Sequence, residues 1–309
     1  MKKPYMYHIF LITCILFPQK IYSKLLFDGI SKIFSKQIEE VVQKDIPLKK
    51  NDTLSIENIS GNIHIKTDWE QNSIILKATK RISKKEDPKD ISIKIEKQIA
   101  KNHVSIKTAY KDNKVKGSVD YELIIPNNIT INLKTDKGEI KIKRAKGPIT
   151  ACTNKGDIRI IETSGQITAQ AGQGNIIVDQ SNGNIFASSS YGNIQISNAS
   201  KSVKALTKSG SIKTSCKNIP STGSINLGTN SGNISLSIPG STNAEVEART
   251  GKGRVTSDHY IEIKPQTVQL NKKTWARFKR EVDGTLGSGE ATIKLSANYG
   301  NIKILKDNA

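Results

Sequence analysis

Cysteine is scarce: Cys14, Cys152 and Cys216 are the only three in 309 residues. That excludes a disulfide scaffold and any zinc site built on paired cysteines. Histidine is equally thin, and none of His64, His103 and His259 is spaced with another His, Cys or carboxylate as metal ligands are. No Gly-x-Ser-x-Gly elbow occurs, so nothing marks a serine hydrolase. The Gly-Gly-x-Gly-x-Asp units of calcium-binding rolls are also missing; the nine-residue units carry only Asp157 and Asp179, and calcium-dependent folding is not expected. From Ile160 to Ser200 there is no Lys or Arg, only Glu162 and Asp179. The longest N-terminal apolar run, Ile9 to Phe17, is too short to span a bilayer well.

What is present is a glycine at every ninth residue: Gly138, Gly147, Gly156, Gly165, Gly174, Gly183 and Gly192. Lys201 takes the next slot, Gly210 resumes, and Gly223 and Gly232 follow a four-residue insertion. A fixed internal period marks a stacked repeat architecture. Two residues after each glycine stands a β-branched apolar residue, from Ile140 and Ile149 through Ile225 and Ile234. Two further on, large alternates with small: Ile142, Ala151, Ile160, Ala169, Val178, Ala187, Ile196, Ala205. Spacing of two puts both positions on one face of a strand. Large opposite small lets two facing sheets interdigitate. The pattern predicts an all-β fold, a parallel β-solenoid whose coils of about 18 residues each combine two nine-residue units, regular over 138–240. The pattern weakens from Lys201, with Thr214 in a slot meant for a large residue. The glycine slot is expected to need positive φ, and Asn175, Asn184, Asn193 and Asn233 read as stacked turn residues. In that register Cys152 and Cys216 lie three to four coils apart, roughly 15–17 Å, beyond the reach of a disulfide.

Residues 1–23 have the basic, apolar, polar order of a secretory signal peptide, with cleavage expected after Ser23. Residues 24–50 contain an amphipathic segment: Leu26, Ile30, Ile33, Phe34, Ile38, Val41 and Val42 recur at helical spacing over 25–43. A short helix is expected there, either capping one end of the solenoid or lying on a membrane. Residues 51–309 read as a single solenoid domain. Its early strands, such as Leu54–Ile56 and Tyr121–Ile125, are longer than the repeat strands, so wider or partly antiparallel coils are expected before Gly138.

Several fragments in order resemble a known family: Ile59-Ser60-Gly61-Asn62-Ile63 followed by Trp69, Ala78-Thr79-Lys80-Arg81, Tyr121 to Pro126, the serial Gly-x-Ile units, Ser237-Ile238-Pro239, and Gly284 to Gly289 before a last unit at Gly300. This is similar to the bacterial putative-adhesin, β-strand-repeat domain family of unknown function, found in exported and envelope proteins, from about Thr53 to Leu305. The resemblance implies a β-solenoid at the cell envelope.

The net charge is +20, and residues 201–309 carry 17 basic against eight acidic residues. With an export signal, the expected partner is an envelope or surface component, an anionic polymer, lipid or glycan, rather than nucleic acid. The densest basic-aromatic cluster, Lys272, Lys273, Trp275, Arg277, Lys279 and Arg280, is the candidate binding site, since Trp and Arg stack on sugars or sit at head groups. A protein partner is not specified by the sequence. No cofactor, metal or catalytic residue is expected, and the location is periplasmic, cell-surface or extracellular. The competing readings are an envelope-tethered stress sensor or regulator, and a polysaccharide-active β-helix enzyme. The last would need clustered carboxylates and groove-forming loops, and the repeat units carry almost no insertions.

Overall fold

The structure is a computed structural model that describes residues 37–48, 52–69, 73–83, 85–98, 102–264 and 280–307. The signal segment, and residues 25–36 of the predicted helix, lie outside the described residues.

Two long sheets face each other along a rod. Its regular part is built of strand pairs: β8 (Thr130–Lys137) with β9 (Ile140–Lys143), β10 (Ile149–Lys155) with β11 (Ile158–Thr163), and β12 (Ile167–Gln173) with β13 (Ile176–Ser181). They continue as β14 (Ile185–Tyr191) with β15 (Ile194–Ala199), β16 (Val203–Ser209) with β17 (Ile212–Cys216), and β18 (Ser224–Ser231) with β19 (Ile234–Pro239). They are preceded by β1 (Gln37–Pro47), β2 (Thr53–Ser60), β3 (Ile63–Trp69), β4 (Ser73–Ser83), β5 (Ile91–Gln98), β6 (His103–Tyr110) and β7 (Gly117–Pro126). They are followed by β20 (Ala244–Lys252), β21 (Val255–Ser257), β22 (Glu262–Ile263), β23 (Glu281–Leu286), β24 (Ala291–Tyr299) and β25 (Ile302–Asp307). Odd-numbered repeat strands join one sheet of 12 strands, and even-numbered ones the other sheet of 13. At about 4.8 Å between strands the rod is roughly 50 Å long.

The 18-residue coil is the observed register: Ile149 pairs with Ile167, Ile167 with Ile185, and Ile158 with Ile176, all parallel. The inward residues are buried throughout. Ile-x-Ile of the β9–β11–β13–β15 sheet faces Ile-x-Ala of the other, with Ile140, Ile160, Ala151 and Ala169 all at 0% exposure. The four-residue insertion lengthens one step to 22, pairing Val203 with Ile225. Thr214 is buried in a slot that holds Ile196 and Leu236 in the neighbouring coils, and its hydroxyl has no partner among the described residues.

Only every second glycine has positive φ, which corrects the expectation for the whole series. Gly138, Gly156, Gly174, Gly192, Gly210 and Gly232 do, at 146–158°, whereas Gly147, Gly165 and Gly183 do not. What both columns share is close approach. A Cβ on Gly174 would collide with the carbonyl of Gly156, and one on Gly183 with that of Gly165. Four of the five described non-glycine left-handed residues form a column of their own, Arg144, Glu162, Gln180 and Asn198, φ 53–65°, one per coil; the fifth, Asn102 at 49°, precedes β6. The stacked-asparagine expectation holds where the bonds are described. Asn193 N donates to Asn175 Oδ1 at 2.9 Å, and Ser211 N to Asn193 Oδ1 at 2.8 Å. An unforeseen column of hydroxyls closes the strand ends, Thr153, Ser189, Thr207 and Thr229 donating to the carbonyls of Gly138, Gly174, Gly192 and Gly210.

Both ends depart from simple coiling. The coil β2–β3 lies between β6–β7 and β8–β9, and the coil β24–β25 lies between β18–β19 and β20–β21. Antiparallel strands cover the termini: β4 and then β1 beyond β7, β5 beyond β6, and β23 beyond β20. A buried network ties the N-terminal intercalation together. Thr108 Oγ1 lies 2.7 Å from Tyr121 Oη and donates to Asn58 Oδ1 at 2.8 Å, while Asn58 Nδ2 donates to the carbonyls of Val119 and Gly61. Burial pushes the Tyr121 hydroxyl up to about 12.

Residues 37–43, the described part of the predicted helix, are strand, not helix. Ile38 and Val42 stand opposite buried Ile82 and Ala78 of β4, so their side chains follow the two-residue period of the inward face. The β-branched content of Ile-Glu-Glu-Val-Val suits this pairing. Cys152 sits on the outer face of the even-strand sheet, its Sγ 3.7 Å from Gln170 Oε1, and Cys216 is buried in the odd-strand sheet; both are free thiols.

Candidate functional site

Of the predicted basic-aromatic cluster, Lys272, Lys273, Trp275, Arg277 and Lys279 lie outside the described residues. Arg280 is described: it is exposed at the entry to β23, and its carbonyl accepts from Thr250 N at 2.8 Å.

The described cations converge elsewhere, on the outer face of the odd-strand sheet near its N-terminal end. Outward positions lie opposite one another in register, so side chains form rows across the strands about 4.8 Å apart. One row runs Lys77, Glu122, His64, Lys141, Arg159 and Ile177. The next runs Ile75, Ile124, Lys66, Lys143 and Ile161. Lys66, Lys141, Lys143 and Arg159 therefore meet across three neighbouring strands, β3, β9 and β11.

Acids neutralise part of this surface. Glu122 takes Lys77 at 3.1 Å, Glu139 lies 3.5 Å from His64 Nε2, and Glu162 takes Arg144 at 2.9 Å and Lys143 at 3.6 Å. The Arg144 hydrogen bond holds the Glu162 carboxyl below the usual carboxylate range. Lys66, Lys141 and Arg159 have no acidic partner among the described residues. Two ring and guanidine nitrogens on this face, His64 Nε2 and Arg159 Nε, are buried without a hydrogen-bond acceptor, and they flank Lys141. Buried donors of this kind are uncommon and call for an explanation.

Beside the cations the sheet forms a trough of about 720 Å³, bounded by β1, β4, β7 and β3. Ile75 and Ile124 face each other in its floor, Lys66 and His64 form one wall, and Gln43 and Asp45 of β1 the other. Ile75 is 37% exposed, an uncommon state for a large aliphatic residue in this chain. The patch stops at Arg159 because the next 41 residues, Ile160 to Ser200, contain no Lys or Arg.

A second, polar groove of about 630 Å³ follows the left-handed corner column, between Arg144, Glu162, Gln180 and Asn198 and the next turn residues Lys146, Ser164, Asn182 and Ser200. No group of three potential metal ligands occurs among the described residues. No helix among them is long and apolar enough to cross a membrane.

Sequence reasoning missed the Lys66–Lys141–Arg159 patch. A signal existed: Lys141 and Lys143 alternate on the outer face of β9, and Arg159 follows Lys141 by one 18-residue coil. Lys66 was not legible, since β3 pairs with β9 across 77 residues of sequence.

The family model described as Toastrack DUF4097 matches residues 23–305, and the chain belongs to that family. Solved structures similar to the chain include a putative cell adhesion protein from Clostridium sporogenes, 14% identical, covering 88% of this chain and 100% of that one, TM-score 0.28. A putative adhesin from Bacteroides fragilis is 12% identical, covering 86% and 97%, TM-score 0.39. A putative adhesin from Parabacteroides distasonis is 9% identical with the same coverage, TM-score 0.35. No curated protein matches.

Proposed function

We propose that this chain is an exported, non-enzymatic, adhesin-like rod that binds or scaffolds at the cell envelope or surface through anionic polymers or lipids. The observation that carries this reading is the unpaired cation group Lys66, Lys141 and Arg159 displayed on a rigid, periodic sheet face. A chain of net charge +20 adds long-range attraction to such partners. The coil register supports a binding rod over a catalyst, because six successive coils add only one insertion, of four residues. Lys272, Lys273, Trp275, Arg277, Lys279 and Arg280 are proposed as a second contact.

The test is co-sedimentation of residues 24–309 with isolated cell envelopes at low and high salt. Binding that is lost at high salt is expected, since exposed charge attraction is screened. No binding at either salt sinks the reading. Cleavage of an envelope glycan by the purified protein, abolished by one carboxylate substitution, would sink its non-enzymatic part.

A further inference from the structure

We propose that the trough between β1, β4, β7 and β3, with the adjoining cations, is a site for an anionic amphiphile. Its charged headgroup, of phosphate type, sits on Lys66, Lys141 and Arg159, and its hydrocarbon chain lies over Ile75 and Ile124. This rests on the envelope-binding reading and narrows it to one ligand class and one place.

Two independent features meet here. The first is charge without a partner. Lys66, Lys141 and Arg159 have no acidic partner among the described residues, while Glu122 is engaged with Lys77, Glu139 lies beside His64, and Glu162 takes Arg144 and Lys143; the remaining acid of the trough, Asp45, stands at its far wall opposite Ile75. Arg159 Nε has no hydrogen-bond acceptor among the described residues, and His64 Nε2 has only the ion-pair contact to Glu139 at 3.5 Å. An anion placed over Lys141 lies between the His64 and Arg159 side chains, and charge-assisted bonds to such a group are the strong ones. Rows about 4.8 Å apart, crossed by positions about 6.8 Å apart along a strand, match a single compact headgroup rather than a long polyanion. The cations also do not continue along the rod, because β13 and β15 supply none.

The second feature is apolar. Ile75 and Ile124 lie directly opposite on β4 and β7, and Lys66 is the next residue in the same row. A chain leaving a headgroup at Lys66 therefore runs straight onto the isoleucines. A hydrophilic anion would use the cations and leave this floor wet. An uncharged lipid would use the floor and leave the donors unpaired. One ligand with both parts satisfies the whole surface.

The experiment measures partition of residues 24–309 onto vesicles of phosphatidylglycerol in phosphatidylcholine, against phosphatidylcholine alone. Lys66→Gln/Lys141→Gln/Arg159→Gln is compared with the charge-matched Lys208→Gln/Lys294→Gln/Lys303→Gln, whose residues are exposed and far from the trough. Near an anionic surface each basic residue contributes about 1 kcal/mol, so the first triple is expected to lose about hundredfold in partition. The second should lose less than about tenfold. Ile75→Ser/Ile124→Ser should weaken binding at least about fivefold with an unchanged salt dependence. Equal losses in the two charge triples would overturn the site, because net charge alone would then explain binding. Full displacement by inorganic phosphate together with wild-type binding by the isoleucine variant would also overturn it, leaving a bare anion site. Circular dichroism of each variant separates these results from misfolding. If vesicle binding fails while envelope sedimentation persists, the amphiphile site falls and the broader function stands.

Discussion

The two glycine columns differ in one respect, and a pair of alanine substitutions isolates it. At Gly174 an added Cβ falls on the carbonyl oxygen of Gly156, more than about 1 Å inside the usual C···O separation of about 3.3 Å. At Gly183 the collision with Gly165 is of the same size. Neither carbonyl can retreat, because each coil is clamped by ladder bonds on both sides, as the Gly156 turn is by Gly156 N to Gln173 O at 2.8 Å and Gly138 N to Lys155 O at 2.9 Å. Overpacking of this kind costs about 1–3 kcal/mol. Gly174 adds a φ of 149°, which a side chain adopts at a further cost of about 1–3 kcal/mol. Gly174→Ala should therefore destabilise by about 4 kcal/mol and Gly183→Ala by about 2 kcal/mol. At about 3 °C per kcal/mol for a domain of this size, Tm falls by about 12 and 6 °C. Thermal melts by circular dichroism give the totals. Hydrogen exchange should place the loss in β10–β15, since a stacked array transmits destabilisation mainly to nearest neighbours. Equal losses in the two variants would refute a role for φ. Losses below about 1 kcal/mol in both would refute close packing of the glycine columns.

Thr214→Val should raise stability by about 1 kcal/mol, because it keeps the volume and removes a buried hydroxyl with no partner; a lower Tm would mean that hydroxyl is bonded. Asn58→Ala should cost about 3 kcal/mol by removing the Oδ1 acceptor of Thr108 and the Nδ2 donor to the carbonyls of Val119 and Gly61, and an unchanged urea midpoint would remove this network from the account. Burial pushes the Cys216 thiol up to about 12 and Cys152 upward more mildly. At pH 8 a thiol reagent should then modify Cys152 slowly and Cys216 only after unfolding, and native labelling of Cys216 by mass spectrometry would contradict its burial. The Glu162 carboxyl is held low by Arg144, so its contribution is present above the unfolded carboxylate range and fades as pH falls through its lower folded value. The acid limb of a melting-temperature profile should become shallower in Glu162→Gln, and parallel limbs would exclude it.

The repeat was legible because one physical constraint, close coil stacking, imposes itself every nine residues on glycine and on the β-branched residue two places later. The paired unit could be read from Ala151, Ala169, Ala187 and Ala205 alone, which lie on one sheet. Conformation was less legible than spacing: the left-handed corners fall on Arg144, Glu162, Gln180 and Asn198, polar residues whose type does not announce positive φ. Wider or partly antiparallel coils before Gly138 were expected from strand length, but the pairing was not, since the antiparallel partners β1 with β4 and β4 with β7 share no motif. The strand at 37–43 was misread because Ile38, Val41 and Val42 also fit a helical spacing. The trough was hidden for a related reason. Ile75, Ile124 and Lys66 come from three strands whose alignment is decided by backbone pairing, not by anything local to each.

The coil β24–β25 inserted between β18–β19 and β20–β21 has a consequence for how the chain is made. During synthesis the strands β20 and β21 emerge first, yet the layer they rest on is still to come. Stacking can proceed in order only as far as β19 and must then wait. The last layers close together, once β24 and β25 slide between neighbours already built, so the C-terminal end behaves as a latch rather than as the final turn of a screw. A chain stopped before Ala291 would lose the docking of β20, β21 and β23 along with its own missing coil.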